Sequence, residues 1–296
     1  MGLDDFDRKV CAMNLQFHTP PDHLAPFVRR FILSDYEVAR PIDVRPWSTG
    51  NIYLTYFYGP LENYTVSVNG RPHTFAFPAW LAGQVEYHDI HIRIAQRTAA
   101  IVAEMTALGF WRLFGKPGRW LTGRTCQLAD LGENHHDAAT ELLLPQAQTG
   151  DEALAKVIGF FERAAAGAAA TDPMLEQATL RLEQAFGRVS VAELAAEAGV
   201  TQRHFTRRFS DVVGLSPKFY GRVLQLNQVI EMLFMPGKNR LADVAQDAGF
   251  YDQAHLNRAM MLFFQEGPSA FLKGDHELFR TFLEHLPPPG AKSVSG

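Results

Sequence analysis

Four side chains between positions 202 and 207 are of types that can act together on one ligand. Gln202, Arg203, Thr206 and Arg207 fall one and four residues apart. That spacing gathers them on one face of a helix, opposite an apolar face made by Phe205 and Phe209. Arginine offers a rigid fork of donors that matches O6 and N7 of guanine, and a glutamine amide matches the donor and acceptor pattern of adenine. A helix that presents these groups outward has the chemistry of base-edge recognition in a major groove. The local charge agrees. Between 203 and 222 the basic residues are Arg203, Arg207, Arg208, Lys218 and Arg222, and the acid is Asp211. The whole chain carries a net charge of −4, which alone argues mildly against a polyanionic partner, but phosphate binding depends on where the cations lie.

Such a helix must be held by neighbours, and the preceding residues supply them. Ser190 followed by Glu193 is a capping box that starts a helix with Leu194 and Ala195 inward. Ala198-Gly199 makes a tight turn, and Thr201 caps the helix that begins at Gln202. The second copy of the pattern lies fifty positions on, where Val191-Ala-Glu-Leu-Ala-Ala-Glu-Ala-Gly199-Val200 recurs as Leu241-Ala-Asp-Val-Ala-Gln-Asp-Ala-Gly249-Phe250. Each copy reads as a helix-turn-helix whose second helix carries polar residues. Gly214-Leu-Ser-Pro217 to Tyr220 closes the first unit. A long helix from Tyr220 to Met235, apolar at Val223, Leu224, Leu226, Val229, Ile230 and Leu233, joins the two. A rigid connector of this kind sets the units a fixed distance apart, ideally near one DNA turn of about 34 Å.

This set of motifs resembles the DNA-binding domain of AraC/XylS-family transcriptional regulators over roughly residues 174–275. The second unit contributes Asp243-Val-Ala, Gly249-Phe-Tyr-Asp-Gln253 and His255-Leu-Asn-Arg258 to the match. The resemblance implies base contacts from Arg203, Thr206 and Arg207 in the first unit and from Gln253, Asn257 and Arg258 in the second. It also implies double-stranded promoter or operator DNA as partner, a homodimer, contact with RNA polymerase, and activation rather than repression. Two departures stand out. Met260, Met261 and Leu262 occupy positions where the family has an aromatic followed by basic residues, and Gln265-Glu-Gly-Pro268 replaces the family's closing Gly-x-Ser-Pro. The second unit thus lacks its phosphate-binding lysines, and weak DNA binding is expected of it. Met261 and Leu262 are either ordinary core or an apolar patch covered by the N-terminal domain or a partner.

The N-terminal half has another character. Residues 17–95 are rich in β-branched and aromatic types, with Asn69-Gly70 as a hairpin turn, Thr74 to Phe77 as its return strand and Glu86 to Ile94 as a further strand. Residues 97–166 read as helical: Ala99 to Leu108, Ala129 to Leu144, and Asp151 to Ala166. In the last, Leu154, Val157, Ile158 and Phe161 form a stripe suited to a dimer interface or to core packing. Gly167 to Pro173 is a linker whose Asp172-Pro173 can start the next helix. Residues 1–169 are therefore expected to form an effector-binding or dimerisation domain, 174–280 the DNA-binding domain, and 287–296 a tail. The family implies a cupin-like β-barrel for the first.

Within that barrel Trp47, Tyr56, Tyr58, Trp80 and Arg93 are the candidate contacts for an unidentified small-molecule effector, the aromatics as an apolar wall and the arginine for an anionic group. The aromatics serve equally as barrel core. His88 and His91 would point to opposite faces of a strand, and His135-His136 reads as a solvated helix start, so no metal is expected. No phosphate cradle, dinucleotide fingerprint or nucleophile elbow occurs, so neither a cofactor nor catalysis is expected.

The 296 residues, 47% hydrophobic and 20% charged, suit two globular domains. No apolar run reaches the length of a membrane span, and the acidic N-terminus lacks the core of a secretion signal. The two cysteines, Cys11 and Cys126, fit a reducing compartment, so a cytoplasmic location is expected. The sequence predicts an α+β chain with an N-terminal barrel plus helices and a C-terminal all-α tandem helix-turn-helix. The function expected is effector- or dimerisation-controlled transcription regulation. The alternatives are a partner-binding adaptor with a degenerate second unit, and an enzyme-like domain fused to a DNA-binding module.

Overall fold

The computed structural model describes residues 10–46, 48–68, 70–73, 75, 77–86, 90–132, 140, 142, 147–234 and 241–272. The expectations placed on Trp47, His88, His135, His136 and the 287–296 tail lie outside the described residues. Among the described residues no helix is long and apolar enough to cross a membrane.

Among the described residues the N-terminal half holds the strands β1 (Val10–His18), β2 (Val28–Val38), β3 (Ile42–Val44), β4 (Tyr53–Phe57), β5 (Tyr64–Val68), β6 (Arg71–His73), β7 (Ala79–Ala82), β8 (Ile90–Ile94), β9 (Thr98–Met105) and, after the first helix, β10 (Thr125–Gln127). They form two antiparallel sheets, one in the order β1-β2-β9-β4-β7-β10 and the other in the order β3-β8-β5-β6. Both sheets are open, so the β-rich domain is present but does not close into a barrel. The two-residue side-chain period divides each central strand between two environments. On β4, Leu54 and Tyr56 face a core shared with helices, whereas Phe57 packs with Val66, Trp80 and Ala100 between the sheets.

The β5–β6 hairpin pairs Val68 with Arg71 and Val66 with His73. Its return strand therefore starts at Arg71, earlier than the Thr74 expected from composition. A larger difference concerns Ala99 to Leu108. This stretch is not helical: β9, from Thr98 to Met105, is a central strand between β2 and β4. Its alanines suggested a helix, but a strand covered on both faces carries a continuous apolar run with no alternation to reveal it.

Helix α1 (Gly109–Phe114) follows, and α2 (Gly150–Ala166), capped by the Thr149 hydroxyl, packs across β9 and β2. Val157 and Phe161 are wholly buried there with Phe31, and Leu154 and Ile158 lean on the same core. The stripe on this helix is thus an internal packing surface, not a free dimer face.

The C-terminal half is helical: α3 (Pro173–Gln184), α4 (Val191–Glu197), α5 (Gln202–Val213), α6 (Pro217–Phe234), α7 (Leu241–Asp247), α8 (Gln253–Phe264) and α9 (Pro268–Phe271). Asp172 caps α3 through the Leu175 amide at 3.3 Å, with Pro173 at the first position. Two cores lie along α6. One gathers Leu194, Phe205, Phe209, Val213 and Tyr220 around the first unit. The other gathers Val229, Ile230, Val244, Leu256, Met260 and Phe271 around the second. The first includes Ala107 and Leu108 from the segment after β9, so the N-terminal domain packs directly on the first unit.

Candidate nucleic-acid interface

The first unit is assembled by local chemistry. Ser190 Oγ accepts from the Glu193 amide at 3.1 Å, and Glu193 Oε2 accepts from the Ser190 amide at 2.9 Å. The backbone bond from Ser190, and then its side chain, hold the Glu193 carboxyl below the usual carboxylate range. The chain turns at Gly199, whose φ of +67° is left-handed; the repeat places Gly249 at +78° in the second unit. Thr201 Oγ1 then accepts from the His204 amide at 3.3 Å and starts α5.

Phe205 and Phe209 anchor α5 in the core, Phe209 edge-on to Tyr220 with ring centroids 5.7 Å apart. This leaves Gln202, Arg203 and Arg207 exposed and Thr206 partly so, and the four share one outer face. The other cations of the cluster divide by role. Arg208 Nε lies 3.0 Å from Asp172 and its guanidinium sits 5.2 Å from the Trp111 ring centroid, so it ties α5 to α1 and the linker. Arg222 stacks over Phe250 at 5.1 Å and joins the two units. Lys218 is exposed at the start of α6.

The second unit repeats the geometry with different surface chemistry. Asp252 accepts from the His255 amide at 2.6 Å and caps α8. Leu256, Ala259 and Met260 are buried, while Gln253, Asn257 and Arg258 are exposed on the outer face. Met260 is thus core, whereas Met261 and Leu262 are 49% and 58% exposed, and Tyr251 just before the helix is 92% exposed. Helix α5 ends on Gly214 at φ +92°, but α8 ends on Gln265 in the same left-handed region at φ +59°. Arg188 braces the units by donating from Nη1 to the Asp247 carbonyl at 2.7 Å.

Connecting helix α6 has 18 described residues, or about 27 Å at 1.5 Å per residue. That is shorter than the about 34 Å between successive major-groove faces on one side of a duplex, and α5 and α8 pack at its two ends.

The residues expected to meet an effector are not gathered on one surface. Tyr56 and Tyr58 lie in the core between the large sheet and the helices, and Tyr56 Oη accepts from the Ala147 amide at 3.2 Å. Burial pushes the Tyr58 hydroxyl up to about 12. Trp80 is buried between the sheets, stacked on Phe75 with centroids 4.5 Å apart. Arg93 is on β8, paired with Asp43 at 3.0 Å near the solvent. Among the described residues no group of three or more His, Cys, Asp or Glu is placed to hold a metal ion.

A polar junction between the halves went unrecognised in the sequence. Glu104, 4% exposed, has Arg30 Nε at 2.7 Å and Arg29 Nε at 3.7 Å, and it accepts from Asn51 at 2.6 Å. Arg29 also donates to Glu183 on α3 at 2.7 Å, and Glu183 accepts from Tyr220 on α6 at 3.1 Å. Burial disfavours the Arg29 cation, but Glu183, Tyr220 and Glu104 outweigh it and hold the group above its ordinary value. Nearby, Asn227 donates to the Thr49 carbonyl at 3.0 Å. The pairs span 154 and 178 positions, and only the fold brings them together.

Residues 194–274 match a family model described as a helix-turn-helix domain, of the AraC type. No curated protein matches the chain. Among solved structures, the chain is similar to an apo variant of ToxT from Vibrio cholerae at 10% identity and a TM-score of 0.46, over 82% of this chain and 97% of that one. It is also similar to wild-type ToxT from Vibrio cholerae bound to an unsaturated fatty acid, at 10% identity and a TM-score of 0.45, over 82% of this chain and 94% of that one.

Proposed function

We propose that this chain, whose C-terminal region is an AraC-type helix-turn-helix domain that binds DNA, is a sequence-specific transcription regulator under the control of its N-terminal domain. The observation that carries the reading is the pair of helices, α5 and α8, each with an exposed polar face, held on one continuous connecting helix. In this reading Gln202, Arg203, Thr206 and Arg207 contact one half-site and Gln253, Asn257 and Arg258 the next. The first unit supplies most of the charge-dependent affinity, because Arg203 and Arg207 are both exposed on α5 while α8 exposes Arg258 beside Met261 and Leu262.

Control by the N-terminal domain is supported by the junction. A small-molecule effector, or self-association into a homodimer, that moves β2 or the Thr49–Asn51 segment would act on α3 and α6 through Arg29, Glu183, Tyr220 and Asn227. Activation is the proposed output, with RNA polymerase as the further partner and the cytoplasm as the site of action.

Binding selection with the full chain on fragmented genomic DNA tests this. The expected result is a motif of two short half-sites about one helical turn apart. A second reading is favoured by the exposed Tyr251, Met261 and Leu262: an adaptor whose second unit meets a protein. Enrichment of a single half-site, unaffected by Asn257→Ala, would support it. Absence of any enriched sequence would overturn the regulator reading.

A further inference from the structure

The turn that joins α1 to β10 lies against the first recognition helix. Gly118 approaches its C-terminal end so closely that a Cβ there would meet the Val212 carbonyl oxygen at 2.5 Å and that of Val213 at 2.8 Å. Thr122 Oγ1 donates to the Gly214 carbonyl at 2.8 Å, and Arg119 Nη1 lies 3.0 Å from Asp211 Oδ1. The turn is rigid from its own side as well. Trp120 stacks on Phe110 at 6.4 Å with the rings 8° from parallel, anchoring it to the N-terminal core.

This turn is strongly basic. Between Glu104 and Asp130 the chain carries Arg112, Lys116, Arg119 and Arg124 and no acid. Arg112 is engaged internally, donating to the Ala169 carbonyl at 3.3 Å and lying over Phe27. Of the other three, Lys116 and Arg124 lie against Trp120 and Arg119 reaches Asp211. Lys116 Nζ sits 4.9 Å and Arg124 Cζ 5.1 Å from the Trp120 ring centroid, and Arg124 Nε donates to the Trp120 carbonyl. Arg119 is 67% exposed. Asp130, the next acid along the chain, accepts from the Gln127 amide at 3.1 Å in its own capping turn. Three cations on one short turn, of which Arg119 is paired to Asp211 and the other two lie on the Trp120 ring, make a positive field that favours an anion across them.

The position of the cluster says which anion. Arg203, Arg207 and Asp211 follow at intervals of four and form one row along α5. Asp211 lies one turn, about 6 Å, beyond Arg207, and Arg119, paired to it, stands at that end of the row. A duplex that takes α5 into its major groove carries its sugar–phosphate backbone past the flank of that helix. We propose that the 116–124 turn of the N-terminal domain is a DNA contact: Lys116, Arg119 and Arg124 bind phosphates that flank the half-site read by α5. The inference rests on the DNA-binding reading above and adds to it that the N-terminal domain forms part of the interface. Movement of that domain then changes affinity directly, through these cations, as well as through the junction.

The test is the salt dependence of affinity for the full chain on a duplex carrying the selected site, read by fluorescence anisotropy. Each lost phosphate contact should lower the slope of log K against log salt by about 0.9. The Lys116→Gln/Arg119→Gln/Arg124→Gln variant should therefore lose about 2–3 in slope, and roughly five-fold in affinity per contact at 0.15 M salt, equally on specific and random duplexes. Arg119→Lys should retain the slope. Asp211→Asn separates a phosphate contact from a mere clamp between domains. A phosphate contact predicts tighter binding, since Arg119 is released and an anion removed; a clamp predicts weaker binding, of the same sign as Arg119→Gln. An unchanged slope in the triple variant, or weakening by Asp211→Asn and Arg119→Gln alike, overturns the proposal and leaves the regulator reading intact. So does loss of promoter output with DNA affinity unchanged, which would point to an acidic protein on this surface. A wild-type chain that binds no duplex removes the regulator reading itself.

Discussion

Glu183→Gln probes the junction with the least change in shape. The carboxylate accepts from Arg29 at 2.7 Å and from the Tyr220 hydroxyl at 3.1 Å. A hydrogen bond to a charged group is worth about 1.5–3 kcal/mol and a neutral one about 0.5–1.5. Both bonds end on Oε1, so the glutamine carbonyl oxygen can still accept both, and what is lost is the charge. Arg29 and Glu183 are 34% and 29% exposed, so solvent screens part of the attraction, and Glu104 remains 3.7 Å from Arg29. The expected cost of Glu183→Gln is therefore about 1 kcal/mol. Glu183→Ala should cost more, about 2–3 kcal/mol, because the hydroxyl of the wholly buried Tyr220 loses its acceptor. A double-mutant cycle of Glu183→Ala with Tyr220→Phe, measured by chemical denaturation, isolates that part, and a coupling near 1 kcal/mol is expected. Amide exchange along α6 should accelerate in Glu183→Ala and recover partly in the double variant. Coupling below about 0.3 kcal/mol, within the scatter of independent sites, would refute the claim that this contact ties α3 to α6 beneath the Arg29 contact.

Four further outcomes are expected. Arg207→Ala should weaken binding to the selected site by about 1–3 kcal/mol and relax one base position, whereas equal loss on random DNA would make Arg207 a phosphate contact only. Gln265→Gly should stabilise the second unit by about 1 kcal/mol, because it removes a side chain from a left-handed helix end at φ +59°; an unchanged or lower melting temperature counts against this. Cys126 is buried with its thiol pushed up to about 12 by burial, so in a Cys11→Ser chain iodoacetamide at neutral pH should label only after unfolding, and fast native labelling would contradict it. The lowered Glu193 carboxyl contributes stability that is present above its unfolded value and lost as pH falls through its folded value. Its titration midpoint, followed by NMR, should rise only partway in Ser190→Ala, since the larger backbone bond survives.

What the sequence revealed and what it hid follow from the range of the interactions. Ser190, Glu193, Gly199 and Thr201 act on neighbours within a few residues, and every one of those caps and turns stands where the residue types placed it. The outer face of α5 was legible for the same reason, since Phe205 and Phe209 define its inner side. Strand β9 was hidden because Thr98 to Met105 is buried on both faces and shows no two-residue alternation. Met260 to Leu262 could not be divided from composition; helix phase decides that Met260 is core and its two neighbours are exposed. The Arg29–Glu183–Tyr220 chain left no mark in sequence, since arginine, glutamate and tyrosine at such separations are indistinguishable from surface residues until the sheet and helices meet.

The two helix-turn-helix units are not equivalent with respect to the rest of the molecule, and this fixes where a signal can enter. The first unit's core contains Ala107 and Leu108, with Trp111 packed against it; the buried core of the second begins at Leu226 and, among the described residues, draws on nothing before that position. The basic turn meets the end of α5, and Arg29 meets α3 and α6. A change in the N-terminal domain therefore acts first on the unit that also carries the exposed arginines. The second unit feels it through α6 and the Arg188 and Arg222 braces. A rigid α6 passes a rotation of the first unit to α8 as a displacement across the groove, so a small shift at the junction changes whether both helices can seat on one face of a duplex. Loosening the braces should separate the two effects. Arg222→Ala is expected to leave binding to the first half-site intact while removing the dependence of affinity on the spacing between half-sites. Retention of that dependence would show that α6 alone sets the geometry.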